Sequence, residues 1–229
     1  MNMILEVAQA RSSNEVSALA ANFCSRLEFD NFVVAVGTSD SDVPSCVLHN
    51  LPDSWLAIAT DEIRHRDPIF RLLRQSRPPP IAWSRPLFAL TDTLDIWDLF
   101  AEHGMRSGFD IPISTSSTNR FVLSLIRDGE LPKRFEMAEK LAKAATFAHC
   151  LSAVAMDIIQ AELFADRLSP VQRRLLQYCL DGLSIEDIAD ETALTIRAVK
   201  QRFTTICRLA GDSVQTPMAA ATLYGRTQK

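Results

Sequence analysis

Helical and strand-like patterns of apolar residues alternate along the first two thirds of the chain. Residues 13–27 repeat apolar side chains at helical spacing, whereas residues 31–37 are rich in β-branched side chains, which is typical of a strand. We interpret residues 45–50 as a second strand and residues 52–63 as a helix. The pattern therefore predicts a domain that mixes helices and strands.

A hairpin between helices is predicted further along. The prolines in residues 77–80 predict a loop, because proline lacks the backbone N–H that regular structure uses. Residues 92–103 follow as a predicted helix. Two strands, at residues 108–114 and 120–127, are predicted to be joined by a polar turn, and one long or broken helix is predicted from residue 133 to about 163. This order predicts an antiparallel sheet covered by helices, so the fold class is α+β.

The remaining chain is predicted to form a separate all-α domain. Ser169 followed by Pro170 marks a helix start, because the serine oxygen caps free N–H groups and proline has no N–H to leave unpaired. Helical spacing extends this helix to about Asp181, and Ser184 and Thr195 cap two more helices. The predicted organisation is an N-terminal domain at 1–162, a linker at 163–168 and a C-terminal domain at 169–229.

The third of these helices has an apolar side and a basic, hydroxyl-bearing side, with no acidic residue between Thr192 and Ala210. Two short helices, a turn and such a third helix match a helix-turn-helix, whose last helix enters the DNA major groove. Cations there attract phosphates, while Arg, Gln and Thr reach base edges. The alternative is a three-helix bundle whose charged side is only solvated. The candidate DNA contacts are Arg197, Lys200, Gln201, Arg202, Thr204, Thr205 and Arg208.

Charge is divided unevenly between the two parts. Residues 1–167 carry 16 Lys and Arg against 22 Asp and Glu, whereas residues 168–229 carry 8 against 6. An acidic body with a mildly basic C-terminal part fits a regulator with a small DNA-binding module better than a protein that coats DNA. The helix predicted from residue 133 has more apolar surface than one sheet face covers, which predicts a homodimer contact along it.

Candidate catalytic and metal-ligating residues are absent from the sequence pattern. The 5 cysteines and 4 histidines show no ligand spacing and no CxxC pair, which favours reduced core cysteines over disulfides or a zinc site. The sequence contains neither a nucleophile elbow nor a phosphate-binding glycine loop, so we expect no enzyme and no cofactor. The first residues do not match a secretory signal, and no apolar stretch approaches the ~20 residues of a membrane helix. We expect a cytoplasmic protein without a membrane partner.

The C-terminal part resembles the DNA-binding module of LuxR-type regulators. At two positions the chain departs from that pattern, because Gln172 stands where the family usually has Glu and Arg202 where it usually has His. The resemblance implies a helix-turn-helix and DNA as a partner. The matching positions are Leu168, Leu176, Gly182, Ile188, Ala189, Val199 and Gly211.

The segments at residues 50–70, 79–88 and 103–114 are similar to the autoinducer-binding domain of LuxR-type quorum-sensing receptors. The resemblance implies an α/β/α sandwich around a central antiparallel sheet, with an acyl-homoserine lactone buried between the sheet and one helical layer.

The resemblance also implies roles for five residues. Trp55 would donate to the lactone carbonyl, and Asp67 would accept from the ligand amide. Trp83 would pack on the lactone ring with Gly108 behind it, and Ser124 would meet the polar end of the acyl chain. Taken singly, the tryptophans also fit core aromatics and Asp67 also fits a helix cap.

Two ligand positions differ from the family pattern. Leu51 and Ala59 stand where the family commonly has tyrosines, so two hydroxyl groups are missing near the expected head group. Two hypotheses follow. Either the protein is a receptor for a lactone or a related apolar signal, or it is a ligand-independent orphan regulator or an inhibitor that forms a heterodimer with a related receptor.

Overall fold

The protein is described by a computed structural model that divides into two compact units, Met1–Met156 and Asp157–Lys229. The described residues are 3–38, 46–75, 77–114, 119–211 and 214–228.

The described part of the first unit contains five strands and eight helices, of which the last continues into the second unit. In chain order they are α1 (Met3–Gln9), α2 (Ser13–Arg26), β1 (Asn31–Thr38), β2 (Cys46–His49), α3 (Asp53–Leu56), α4 (Asp61–Arg66), α5 (Pro68–Leu73), β3 (Ile81–Trp83), α6 (Arg85–Leu90), α7 (Leu94–Glu102), β4 (Ser107–Ser114), β5 (Asn119–Arg127) and α8 (Arg134–Arg167).

The strands form one antiparallel sheet in the order β2-β1-β5-β4-β3. Successive strand residues point to opposite faces, so apolar residues at every second position bury one face. On β1, Phe32, Val34 and Val36 are buried on that face. The opposite face carries Val33 and Ala35, which line a cavity. The sheet therefore separates a packed layer from a layer that contains an open space.

Helices cover the two faces differently. On the packed face, α2 contacts β1, and the Phe23 ring of α2 stacks on Phe147 of α8 with centroids 3.9 Å apart. Lys140 of α8 also bonds Glu28 at 2.5 Å. On the other face, α3, α5, α6 and α7 build a second core with β3, whose buried members are Trp55, Ile69, Ile81, Trp83, Phe88, Ile96, Phe100, Met105 and Ile126.

The second unit is all-α. It consists of the last part of α8 with α9 (Pro170–Leu180), α10 (Ile185–Thr192), α11 (Ile196–Ala210), α12 (Pro217–Gly225) and a terminal turn. Capping boxes at Ser169 with Gln172 and at Ser184 with Asp187 start α9 and α10. Thr195 accepts from the Ala198 N–H at 3.2 Å and starts α11. The three predicted helices are present, and α12 is an additional one.

Local structure differs from the prediction around the cavity. The helix predicted at 52–63 is two helices, because Thr60 caps a new helix by accepting from the Ile63 N–H. The helix predicted to begin at Asp92 begins at Leu94, since Asp92 has a φ of 55° that a helix excludes. Strand β3 and helix α6 were not predicted. Ser45 and the polar turn at 115–118 lie outside the described residues.

Helix α8 passes through the predicted linker. Residues 163–167 are helical, and the boundary between the compact units falls after Met156 rather than at 163–168. The physical reason is burial, because Phe164 and Leu168 lie in the core of the second unit. In the described part of the chain, α8 is the one helix long and apolar enough to cross a membrane, but half of its most apolar stretch is buried within the protein. The core helix of a soluble protein can have the same length and apolar composition.

Candidate functional site

A cavity of about 460 Å³ lies in the first unit, between the open face of the sheet and helices α3 to α5. Its size falls in the range of about 300–1,000 Å³ that small-molecule sites occupy. Apolar residues such as Val33, Ile63 and Phe70 form most of its wall. Among the sequence-predicted ligand residues, Leu51, Trp55, Ala59, Asp67, Trp83 and Ser124 line it.

Trp55 and Asp67 are held on the helical side of the cavity. Trp55 lies on α3 and is fixed edge-on against the Phe100 ring, with centroids 4.8 Å apart. No hydrogen bond joins its indole N–H to any residue that the structure describes. Asp67 caps α5 by accepting from the Ile69 N–H at 2.8 Å. Asp67 is therefore a helix cap that also lines the cavity.

Trp83 and Gly108 are packed against each other on neighbouring strands. They are register partners on β3 and β4, and the Trp83 ring lies over Gly108. A Cβ at Gly108 would come within 2.7 Å of that ring and 2.6 Å of the Leu125 carbonyl oxygen. Glycine therefore allows the indole to lie flat against the sheet. Gly108 itself does not line the cavity, so its place is behind the tryptophan.

Asp110 is a site residue that the sequence reasoning missed. It lies on β4 opposite Ser124 of β5, is 5% exposed, and lines the cavity. Its carboxylate accepts from the Trp83 indole N–H at 2.6 Å and from the Ser124 hydroxyl. An aspartate inside an otherwise apolar strand was the available signal, because such a residue is buried only with hydrogen-bond partners.

Burial changes the acidity of both carboxyl groups. Desolvation raises the pKa of Asp110 to about 6, against the opposing hydrogen bonds from Ser124 and Trp83. Desolvation also raises the pKa of Asp67 to about 7, the Ile69 N–H opposes this, and the charge of Asp110 adds to the rise. The two carboxyls therefore interact across the same cavity.

The positions that lack tyrosine leave this part of the wall without phenolic hydroxyls. Leu51 and Ala59 both line the cavity as apolar side chains. Three arginines, Arg64, Arg74 and Arg120, also line it. Arg64 is bonded to Asp61 at 2.9 Å. Among the described residues, no group of His, Cys, Asp and Glu is arranged to hold a metal ion.

Helix α11 presents the predicted polar side to solvent. Val199, Phe203 and Ile206 are buried in the core of the second unit. Within the described part of the chain, none of the four cations on the exposed side forms an ion pair. The exposed side consists of Arg197, Lys200, Gln201, Arg202, Thr204, Thr205 and Arg208.

A family model described as the autoinducer binding domain matches residues 12–155, which include the whole sheet and cavity. The chain belongs to the autoinducer-binding-domain family. The transcriptional activator proteins AhyR of Aeromonas hydrophila and AsaR of Aeromonas salmonicida are each 26% identical to it over 179 residues, or 74% of this chain and 68% of theirs. The family is one of LuxR-type quorum-sensing regulators and not of enzymes.

Solved structures share the fold. SdiA in complex with octanoyl-rac-glycerol aligns with 99% of this chain and 93% of its own, at a TM-score of 0.56 and 18% identity. The N-acylhomoserine lactone dependent factor CepR2 from Burkholderia cenocepacia aligns with 69% of this chain and 94% of its own, at a TM-score of 0.53 and 20% identity. At these identities the likeness concerns the fold.

Proposed function

We propose that this autoinducer-binding-domain protein is a cytoplasmic transcription regulator that binds an acylated small molecule in the cavity and DNA through α11. The cavity carries the first half of the proposal. It combines a mainly apolar wall with the Trp55 N–H as a donor and the Asp67 carboxylate as an acceptor. An acylated lactone amide carries a lactone carbonyl for the donor and an amide N–H for the carboxylate. An acyl-homoserine lactone is the first candidate ligand, since CepR2 depends on that class.

The exposed side of α11 supports the second half. Its unpaired cations can neutralise DNA phosphates, and its amide, hydroxyl and guanidinium groups match base edges in the major groove. The turn between α10 and α11 ends at the Thr195 cap, which defines where α11 begins. A homodimer would let two such modules bind an inverted repeat. Sedimentation at micromolar concentration tests this assembly, and a monomer with and without ligand would contradict it.

Thermal unfolding of the full chain tests the ligand. A molecule that binds only the folded state raises the unfolding midpoint by mass action. We expect an N-acyl homoserine lactone series to raise it, with one acyl length preferred, and Asp67→Ala to remove the increase. Asp98→Asn is the control, because it removes a charge at an exposed position of α7. Gel shifts with and without the preferred lactone then link ligand to DNA binding.

A second candidate function is a ligand-independent regulator, or an inhibitor that pairs with a related receptor. The observation that favours it is the apolar character of Leu51 and Ala59, which removes two hydroxyl donors from the cavity wall. On this reading the free protein is folded and no acylated ligand moves its unfolding midpoint. A heterodimer formed on mixing with a related receptor, together with loss of that receptor's DNA binding, would support the inhibitor.

A further inference from the structure

Hydrogen bonds at one end of the cavity leave mainly acceptors facing the ligand. The Trp83 N–H and the Ser124 O–H both donate to Asp110, so neither hydrogen is available to a bound molecule. A carboxylate offers about four lone-pair positions, and Asp110 uses two of them for these bonds. Its remaining lone pairs and the Ser124 oxygen can only accept from a ligand.

Asp67 adds a third acceptor in the same space. Its carboxylate receives the Ile69 N–H and lies close enough to Asp110 for the two charges to interact. The Trp55 N–H is a donor on the helical side of the cavity, and it has no partner among the described residues. Among the arginines of the cavity wall, Arg64 is paired with Asp61 at 2.9 Å. Arg120 is four residues from Ser124 on β5, or roughly 13 Å along an extended strand.

A homoserine lactone matches this arrangement only in part. It has one N–H donor and two carbonyl oxygens, so Asp67 would accept from the amide N–H and Trp55 would donate to the lactone carbonyl. The amide carbonyl would then face Asp110 and Ser124, and an acceptor placed against acceptors in a buried site loses the hydrogen bonds that both had in water. The missing hydroxyls at Leu51 and Ala59 provide no compensating donor.

We propose that the ligand of this cavity carries a head group with at least two hydrogen-bond donors, one for Asp67 and a second for the Asp110–Ser124 pair. This inference rests on the receptor function proposed above and specifies its ligand class. The chemistry is that of an acyl chain on a head group bearing hydroxyl groups or an amine. The apolar remainder of the cavity accommodates the chain.

Three probes with one octanoyl chain test the inference on the full-length protein. Octanoyl glycerol has two O–H donors, N-octanoyl homoserine lactone has one N–H donor, and methyl octanoate has none. Binding is measured by calorimetry at pH 8, where Asp67 and Asp110 are mainly ionised because their pKa values are about 7 and 6. We expect the dissociation constants to rise in that order, with about a tenfold gap between the glycerol ester and the lactone.

Asp110→Asn supplies the matched variant. The amide is nearly isosteric, keeps an acceptor for the Trp83 N–H, and can donate to Ser124, which frees the Ser124 hydrogen for a ligand carbonyl. We expect the variant to lose the preference for octanoyl glycerol and to bind the lactone at least as well as the wild type. Asp98→Asn on exposed α7 should leave the ranking unchanged.

The results distinguish failure of this inference from failure of the receptor function. Tighter binding of the lactone than of octanoyl glycerol by the wild type would overturn the inference and leave the receptor function standing. An unchanged ranking in Asp110→Asn would also overturn it. Absence of binding for all three probes would overturn both the inference and the receptor function. If the variant does not fold, the wild-type ranking alone decides.

Discussion

Single residues around the cavity act through their neighbours. Trp83 packs against Gly108, but its N–H is directed at Asp110, so the ring is held from two sides. Ser124 faces the cavity, yet its hydroxyl hydrogen is used by the same carboxylate. The residue that organises this end of the cavity is therefore Asp110, and its position inside an otherwise apolar strand is the signal that the sequence offers for it.

Replacing Gly108 tests the support behind Trp83. A Cβ there would lie within 2.7 Å of the ring and 2.6 Å of the Leu125 oxygen, closer than side chains tolerate. We expect Gly108→Ala to destabilise the protein by about 1–3 kcal/mol, the usual cost of overpacking a core. Chemical unfolding measures this. Gly129→Ala is the control, since the nearest atom to its new Cβ is 3.5 Å away, and equal losses in the two variants would contradict the expectation.

The raised pKa values of Asp67 and Asp110 predict a pH dependence of stability. The folded state holds protons on Asp67 and Asp110 up to a pKa of about 7 and about 6, whereas the unfolded chain releases them near 3.8. Between pH 8 and pH 5 the folded state therefore binds more protons, and its stability rises as the pH falls. We expect the unfolding midpoint of the ligand-free protein to rise by a few degrees over this range.

The matched variants separate the effect of the two carboxyls from that of other groups in the cavity wall, such as His49. Asp67→Asn combined with Asp110→Asn should flatten the profile, and Asp98→Asn should parallel the wild type. A double variant whose midpoint still climbs by the wild-type amount would show that other groups set the pH dependence.

At the scale of elements, α11 is the clearest case of a helix whose two sides have separate tasks. Its buried side holds the second unit together, and its exposed side carries cations without acidic partners in the described chain. Capping by Thr195 defines where the helix begins, so the exposed groups keep a fixed relation to the core. The exposed side can therefore vary without loss of the fold.

Substitutions on α11 should separate phosphate contacts from base contacts. We expect Lys200→Ala to weaken DNA binding for all sequences. The fall of log affinity with log salt concentration should also become less steep, by about 0.9 in the slope. Arg202→Ala and Gln201→Ala should change the preferred sequence, at about 1–3 kcal/mol per lost bidentate contact. Gel shifts over a salt series measure both effects. Arg26→Ala removes an exposed cation of α2 and should bind DNA as the wild type does. If none of the α11 substitutions changed DNA binding, α11 would not be the DNA-contacting helix.

At the scale of the whole molecule, α8 belongs to both compact units. Its residues up to Met156 lie in the first unit and its last turns lie in the second. Phe164 and Leu168 are 3% and 4% exposed within the core of the second unit. A fragment of the second unit is therefore complete only if it begins before these residues.

Two fragments test this boundary. Residues 157–229 retain Phe164 and Leu168, whereas residues 169–229 lose both side chains from the core. Removing one large buried apolar side chain costs about 2–5 kcal/mol, so we expect the shorter fragment to be at least ~3 kcal/mol less stable or unfolded. Circular dichroism with urea unfolding compares them. Equal stability would place the boundary at the Ser169 cap, where the sequence pattern predicts it.

The sequence alone determined the elements that depend on local chemistry. Strand β1 follows from its run of β-branched residues, and α9 to α11 follow from caps and helical spacing, which act within a few residues of chain. The family resemblance placed Trp55, Asp67, Trp83 and Ser124 around one cavity.

Tertiary structure decided the rest. Strand β3 forms by pairing with β4, α8 extends through the predicted linker because Phe164 is buried, and Asp110 joins the cavity wall only when the sheet sets it opposite Ser124. These features depend on residues distant in the chain. A local sequence pattern does not show which distant residue will bury a side chain or form a hydrogen bond with it.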